Sequence, residues 1–172
     1  MDKWDILNED GSPTGRTTLR GQCKLHAGEY HLVVHIWVVS SNGDFLIQRR
    51  SENKRLMPGE WAATGGAAIS GESSYTAANR ELYEELGIPS NKETLKRLTR
   101  INRRNSLLDV WFINTDIEIN KLRLQKSEVA EAKWVSRQVL KTMIKNGEFH
   151  NYGSEYFDAL FSKIDELRGV MI

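Results

Sequence analysis

A chain of 172 residues, 40% hydrophobic and 27% charged, is long enough to bury a sizeable core and has the composition of an ordinary soluble globular protein. Its 24 Lys and Arg against 23 Asp and Glu leave a formal charge of +1, which excludes a global field drawing it to DNA or an anionic membrane, so recognition has to be local. The single cysteine, Cys23, excludes an internal disulfide framework and fits a reducing compartment. Met1 to Asp10 is polar and acidic and no apolar run approaches about 18 residues, so the cytoplasm is the expected location. No repeat, low-complexity tract or long linker marks a second domain, and residues 1–172 read as one unit.

In chain order, Trp4 to Leu7 and Thr14 to Leu19 flank the turn Asn8-Glu9-Asp10-Gly11 and predict an N-terminal β-hairpin, making 1–28 an extension ahead of the main body. His31 to Val39 is the strongest strand, with Leu32, Val34, Ile36 and Val38 on one face and His31, Val33, His35, Trp37 and Val39 on the other. Its two histidines are either metal ligands or substrate donors, or satisfied structural residues, the commoner case for histidines on a strand. Asn42-Gly43 predicts a hairpin into Phe45 to Arg49. The loop that follows is basic. Arg50 and Lys54 are candidates to hold diphosphate oxygens, the one as a bidentate fork and the other as a point charge, against the bland alternative of solvated surface cations. Trp61, another candidate substrate contact, opens a strand whose Gly65 and Gly66 let backbone approach a ligand closely.

Ser73 to Leu86 predicts a helix, with a serine at its start, no Pro or Gly inside, and Gly87 and Pro89 at its stop. At about 100° per residue, Glu81, Glu84 and Glu85 crowd one stripe beside an apolar stripe of Tyr75, Ala78, Leu82 and Leu86. Three carboxylates repel one another, and they sit in the last turns, where the helix dipole disfavours negative charge. Stability alone would not select this pattern. Clustered carboxylate oxygens are hard ligands suited to Mg2+ or Mn2+, and Arg80 is placed to clamp Glu72 or a ligand carboxylate. The competing reading is a solvated acidic face.

Beyond the helix, Leu95 to Asn102 and Leu107 to Asn114 predict a second antiparallel pair. The first of these is rich in Lys and Arg, which reads as a charged edge strand or, less readily, as an anion patch. Ala132 to Val135 is a short final strand. Ser136 then caps a helix with Val139, Leu140, Met143 and Ile144 inward, and Phe157, Leu160, Phe161, Ile164 and Leu167 mark a last amphipathic helix. Glu148 to Tyr152, between the two, is a candidate pocket wall. Mixed strands with helices after the glycine turn and at the C-terminus predict an α+β sandwich with a sheet between helices.

Read with x for any residue, Gly66 to Ile88 is G-x5-E-x7-R-E-L-x-E-E-x-G-I. That pattern resembles the signature of the Nudix family, metal-dependent hydrolases of nucleoside diphosphates linked to another group, with no prescribed position departing from it. Chance agreement is on the order of 10^-7 per chain. The resemblance implies a Nudix-type α/β/α sandwich with a mixed sheet, a Mg2+ or Mn2+ cofactor, and a small-molecule diphosphate or nucleotide as partner, with a homodimer left open. It implies metal contact by the Gly66 carbonyl together with Glu81, Glu84 and Glu85, with Arg80 and Glu72 behind them. The general base is drawn either from the helix, where Glu84 serves, or from outside it, where Glu128, Glu131 and Asp109 are candidates. Outside the signature, Tyr30-His31-Leu32, Gln48-Arg49-Arg50, Pro58-Gly59-Glu60-Trp61 and Ala132-Lys133-Trp134-Val135 are similar to isopentenyl diphosphate isomerase and its relatives. Gly65, Ala67 and Leu107 stand where that enzyme has a cysteine, a metal histidine and a glutamate, while His31 matches a metal-histidine position.

Overall fold

The computed structural model describes residues 2–22 and 25–170; Cys23 and the opening Met1 lie outside them. The N-terminal hairpin forms from β1 (Lys3–Leu7) and β2 (Pro13–Leu19) as a separate two-stranded sheet. The main sheet is built on β3 (His31–Val39), which pairs in parallel along its whole length with β8 (Ser106–Asn114). On its other side β3 has two partners in succession. Val38 and Val39 pair with β4 (Phe45–Arg50), whereas Val33 to Ile36 pair with β6 (Thr64–Ala67).

The run from Trp61 to Gly66, expected as one strand, is therefore two. β5 (Trp61–Ala62) pairs with β4, and the chain crosses to β3 at Ala63, where Tyr152 Oη accepts from the backbone N–H at 3.1 Å. The last strand, β9 (Val129–Val135), is longer than the expected Ala132 to Val135. Val129 and Glu131 pair with Arg50 and Arg49 of β4, a register that their alternation with charged residues conceals in the sequence. The basic strand β7 (Lys96–Asn102) does lie at a sheet edge, antiparallel to β8, but Arg100 and Arg97 turn inward onto the fully buried Asp109.

Alternation along β3 feeds two cores. Leu32, Val34, Ile36 and Val38 pack with Ala77, Ala78, Leu82 and Leu86 of helix α1 (Ser74–Leu86). On the opposite face Trp37 and Val39 pack with α2 (Arg137–Lys145) and α3 (Ser154–Val170) through Leu140, Phe157, Leu160 and Ile164. Helix, sheet, helix is the expected sandwich. Within α2, Leu140 and Met143 are buried, but Val139, expected inward, is 47% exposed. It falls about 100° from Leu140, at the margin of the apolar stripe, and its backbone N–H is spent on the Ser136 cap at 3.2 Å.

The second core carries a buried polar chain. Trp37 Nε1 donates to Tyr156 Oη at 2.8 Å, and the same hydroxyl lies 2.9 Å from His35 Nδ1. A neutral imidazole accepting the tyrosine proton satisfies all three groups. Burial, with Arg103 and His150 adding repulsion, pushes the His35 pKa down to about 3. The unfolded chain binds a proton at this position below about pH 6.5 and the folded chain does not, so His35 adds stability above that pH and loses it as the pH falls toward 3. Replacing His35 by Gln should reduce the slope of unfolding free energy against pH by up to about 1.4 kcal/mol per unit between pH 4 and 6. Urea titrations of both proteins across that range measure it, and parallel curves would contradict the assignment.

Candidate active site

Helix α1 begins where Ser73 accepts from Thr76 N–H at 3.1 Å and ends where Gly87, at φ 72°, donates to the Tyr83 carbonyl at 2.8 Å. Between these caps Leu82 and Leu86 are fully buried against β3, which sets the helix rotation. That rotation turns Glu81 and Glu85 toward the glycines of β6. A side chain at Gly66 would place its Cβ 2.4 Å from Glu81 Oε1, so the absence of one is what admits the carboxylate. Glu85 is only 3% exposed and receives hydrogen bonds from Gln48 Nε2 at 2.8 Å and Gly65 N–H at 3.2 Å. Gln48 is itself buried, oriented by Thr64 Oγ1 donating to its Oε1 at 3.2 Å. Neither Gln48 nor Thr64 carries a sequence signal for the site. A glutamine on a strand carries no signal that it faces inward.

Arg80 organises the other two acids. Its Nε and Nη2 grip Glu72 in a fork at 2.7 and 3.0 Å, and Nη2 also donates to the Ala67 carbonyl at 3.2 Å. Its Nη1 bridges Glu81 and Glu84 at 2.9 and 3.1 Å. These contacts, Glu72 foremost, raise the arginine pKa further above its ordinary value. Glu81 is nevertheless driven upward by burial, which Arg80 offsets only in part. Among the described residues no cation pairs with Glu85. Burial first, and repulsion from Glu81 second, push it up to about 8. At about 1.4 kcal/mol per unit, ionising it at pH 7 costs about 1.4 kcal/mol in the absence of a positive neighbour. Among the described residues no three His, Cys, Asp or Glu side chains form a ready-made cage, because Glu81 and Glu84 are turned to Arg80 and Glu85 to Gln48.

The acids open into a cavity of about 750 Å³ whose lining includes Gly66, Arg80, Glu81, Glu84, Glu85 and Glu128, and the basic residues Arg50 and Lys54. A smaller cavity of about 340 Å³ behind the hairpin touches Glu72 and Arg100 but none of the three helix acids. Glu128 reaches the larger one because the chain before β9 docks on the end of α1, with Arg123 N–H on the Leu86 carbonyl at 3.0 Å and Gln125 N–H on that of Glu85 at 3.1 Å. There Glu128 forms an ion pair with Lys54, so that lysine is not an uncommitted cation. The segment 148–152 is held by His150 N–H on the Trp61 carbonyl at 2.8 Å and does line the cavity, through His150, Asn151 and Tyr152.

Three expected participants fall elsewhere. Trp61 is not among the lining residues; its ring packs against the second core, where Lys133 Nζ caps it 4.2 Å from the centroid. Glu131 points off β9 to Arg49 at 3.4 Å. Asp109 is wholly buried beneath Arg100; burial alone would raise its pKa, but the arginine contacts at 2.6 and 2.8 Å hold it below the usual range. His31 and His35 do reach the cavity wall, His31 stacked on Trp4 at 4.3 Å with its pKa lowered to about 4 by burial. Arg103, in the turn between β7 and β8, is a lining residue that sequence reading grouped with a charged sheet edge.

Comparison with known proteins agrees with this geometry. The NUDIX domain model matches residues 29–155. An uncharacterized Nudix hydrolase of Listeria monocytogenes is 39% identical over 153 residues, spanning 88% of this chain and 90% of that protein. Among solved structures, one from Deinococcus radiodurans superposes with a TM-score of 0.75 at 24% identity, covering 92% of this chain and 97% of its own. The NUDIX domain of Shewanella oneidensis NrtR, solved with ADP ribose, does so at 0.54 and 16% identity, covering 66% and 77%. A complete signature helix, a fold matched over nearly the whole chain and a hydrolase relative of similar length place this chain in the Nudix hydrolase family.

Proposed function

We propose that the chain is a divalent-metal-dependent hydrolase that splits a diphosphate bond in a nucleoside diphosphate-type substrate by attack of water on phosphorus. The carrying observation is the placement of Glu81 and Glu85, two carboxylates withdrawn from water against the backbone of Gly65 and Gly66, one of them with no ion-pair partner among the described residues. The donor set fits a hard cation. Glu81, Glu84, Glu85 and the Gly66 carbonyl would hold Mg2+ or Mn2+, all through oxygen. When bound, such an ion neutralises phosphate oxygens and lowers the pKa of water.

The protein's own groups have separable tasks. Arg80, anchored by Glu72, spaces Glu81 and Glu84, while Gln48 and the Gly65 N–H fix the orientation of Glu85. Arg50 offers its guanidinium to diphosphate oxygens, and Lys54 does so only while sharing its charge with Glu128. A proton from the attacking water needs an acceptor in contact with solvent. Glu84, with its side chain 47% exposed, and Glu128, at 31%, meet that condition, and Glu85 does not.

The isomerase-like alternative requires a thiol acid and a glutamate partner. A Cβ at Gly65 would lie 2.1 Å from the Val34 carbonyl oxygen, so this backbone admits no cysteine there, and Leu107 is fully buried in the core facing α1. Among the described residues no cysteine lines the cavity, which supports hydrolysis over proton transfer across an allylic system.

Glu84→Gln and Glu85→Gln should each lower turnover at least ~100-fold, about 2.7 kcal/mol of transition-state stabilisation, with thermal unfolding midpoints unchanged or, for Glu85→Gln, raised. Phosphorus NMR in isotopically labelled water, over nucleoside polyphosphates, nucleotide sugars, dinucleotides and isopentenyl diphosphate, reads both the bond broken and the rate; full activity of either variant would falsify the assignment. Gln48→Leu leaves Glu85 with only the Gly65 N–H and should raise the Mg2+ concentration for half-maximal activity ~10-fold. An unchanged Mg2+ profile would remove Gln48 from the account.

A further inference from the structure

We propose that Arg103 and Arg50 form a subsite for a free terminal phosphate. The preferred substrates are then nucleoside polyphosphates that end in a phosphomonoester, in preference to diphosphates capped by a sugar or another alcohol. This rests on the reading of the acidic end as the place where the scissile diphosphate is held.

Among the described residues the cavity has five Lys and Arg side chains: Arg20, Arg50, Lys54, Arg80 and Arg103. Arg20 lies 3.5 Å from Asp2, Lys54 pairs with Glu128, and Arg80 is saturated by Glu72, Glu81 and Glu84. Among the described residues, neither Arg50 nor Arg103 has a carboxylate within ion-pair distance. Arg50 is fixed by its Nε, which donates to the Leu56 carbonyl at 3.1 Å, and this leaves its two terminal nitrogens to a ligand. Arg103 springs from a tight turn closed by its own N–H on the Ser106 carbonyl at 2.8 Å.

Although they come from different strand ends, Arg50 and Arg103 line one cavity together with Tyr152 and its hydroxyl. That hydroxyl accepts from Ala63 N–H, and its own proton has no acceptor among the described residues. Two unpaired guanidiniums and an uncommitted O–H therefore line the cavity that the acids line, within which the outer phosphate of a bound diphosphate has to lie. A phosphomonoester brings nearly two negative charges and three acceptor oxygens at neutral pH, and a guanidinium grips such oxygens in a fork. A phosphodiester brings one charge, and an uncharged cap would leave both cations uncompensated.

The test is calorimetric binding of ADP against ADP-ribose and of UDP against UDP-glucose, pairs that share base and diphosphate and differ in whether the outer phosphate is free. Ca2+, a hard cation of looser geometry, serves in place of Mg2+ to limit turnover. The native chain should bind the free-ended member at least ~10-fold more tightly. Arg103→Gln should abolish that preference by weakening the free-ended member alone, and Arg103→Lys, which keeps the charge but loses the fork, should give an intermediate loss. Equal affinity within each pair in the native chain, equal weakening of both members in either variant, or no detectable nucleotide binding would overturn the subsite. Because the preference is read without turnover, a protein that binds in this way yet fails to hydrolyse supports the subsite and contradicts only the catalytic reading.

Discussion

The structure depends on one electrostatic constraint: carboxylates held out of water at the wrong end of a helix. Glu85 is buried to 3% exposure, faces only neutral donors and is driven to a pKa of about 8, with Glu81 beside it shifted in the same direction. The helix dipole opposes both, since the C-terminal turn presents carbonyl oxygens. A fold tolerates such a site when surrounding structure over-determines it, and here three features do so. Leu82 and Leu86 lock the rotation of α1 against β3, Gly66 removes the Cβ that would collide with Glu81, and the chain before β9 ties down the last carbonyls of the helix.

From that constraint the rest of the cavity follows. The sheet splits between β4 and β6 because β3 pairs with each for only part of its length, and the chain crossing at Ala63 is where Tyr152 is stitched in. Aromatic packing behind it, with Tyr152 4.8 Å from Tyr156 and 4.6 Å from His35, joins the α3 core to the cavity wall. The N-terminal hairpin closes the opposite side. Asp5 accepts from Ser70 Oγ at 2.6 Å and from Gly71 N–H at 2.9 Å, which fastens the hairpin to the glycine turn ahead of α1 while Trp4 stacks on His31.

Local chemistry made much of this legible in the chain. The caps at Ser73 and Gly87, the alternation of β3 and the helical spacing in α3 each depend on near neighbours, and each is found in the structure. The same holds for the acidic stripe, whose i, i+3 and i+4 spacing put Glu81, Glu84 and Glu85 at one cavity. What escaped was tertiary. Gln48 and Thr64 are ordinary strand residues until α1 lies over them, and Val129 pairs with β4 without an apolar run to announce it. Trp61 is a candidate in sequence because it opens the strand that leads to Gly65 and Gly66, and Asp109 because it is a carboxylate outside the helix, whereas strand direction aims them elsewhere. Arg103 was hidden in a run of cations whose other members serve the edge strand.

The most direct test of the central claim is a calorimetric titration of the purified protein with Mg2+ and Mn2+, alone and with nucleotide. If the withdrawn acids are tolerated because a divalent cation compensates them, at least one ion associates, and Glu81→Gln or Glu85→Gln weakens it by an order of magnitude or more. No detectable association of either ion under both conditions would contradict the account and leave the acidic end of α1 without a physical rationale.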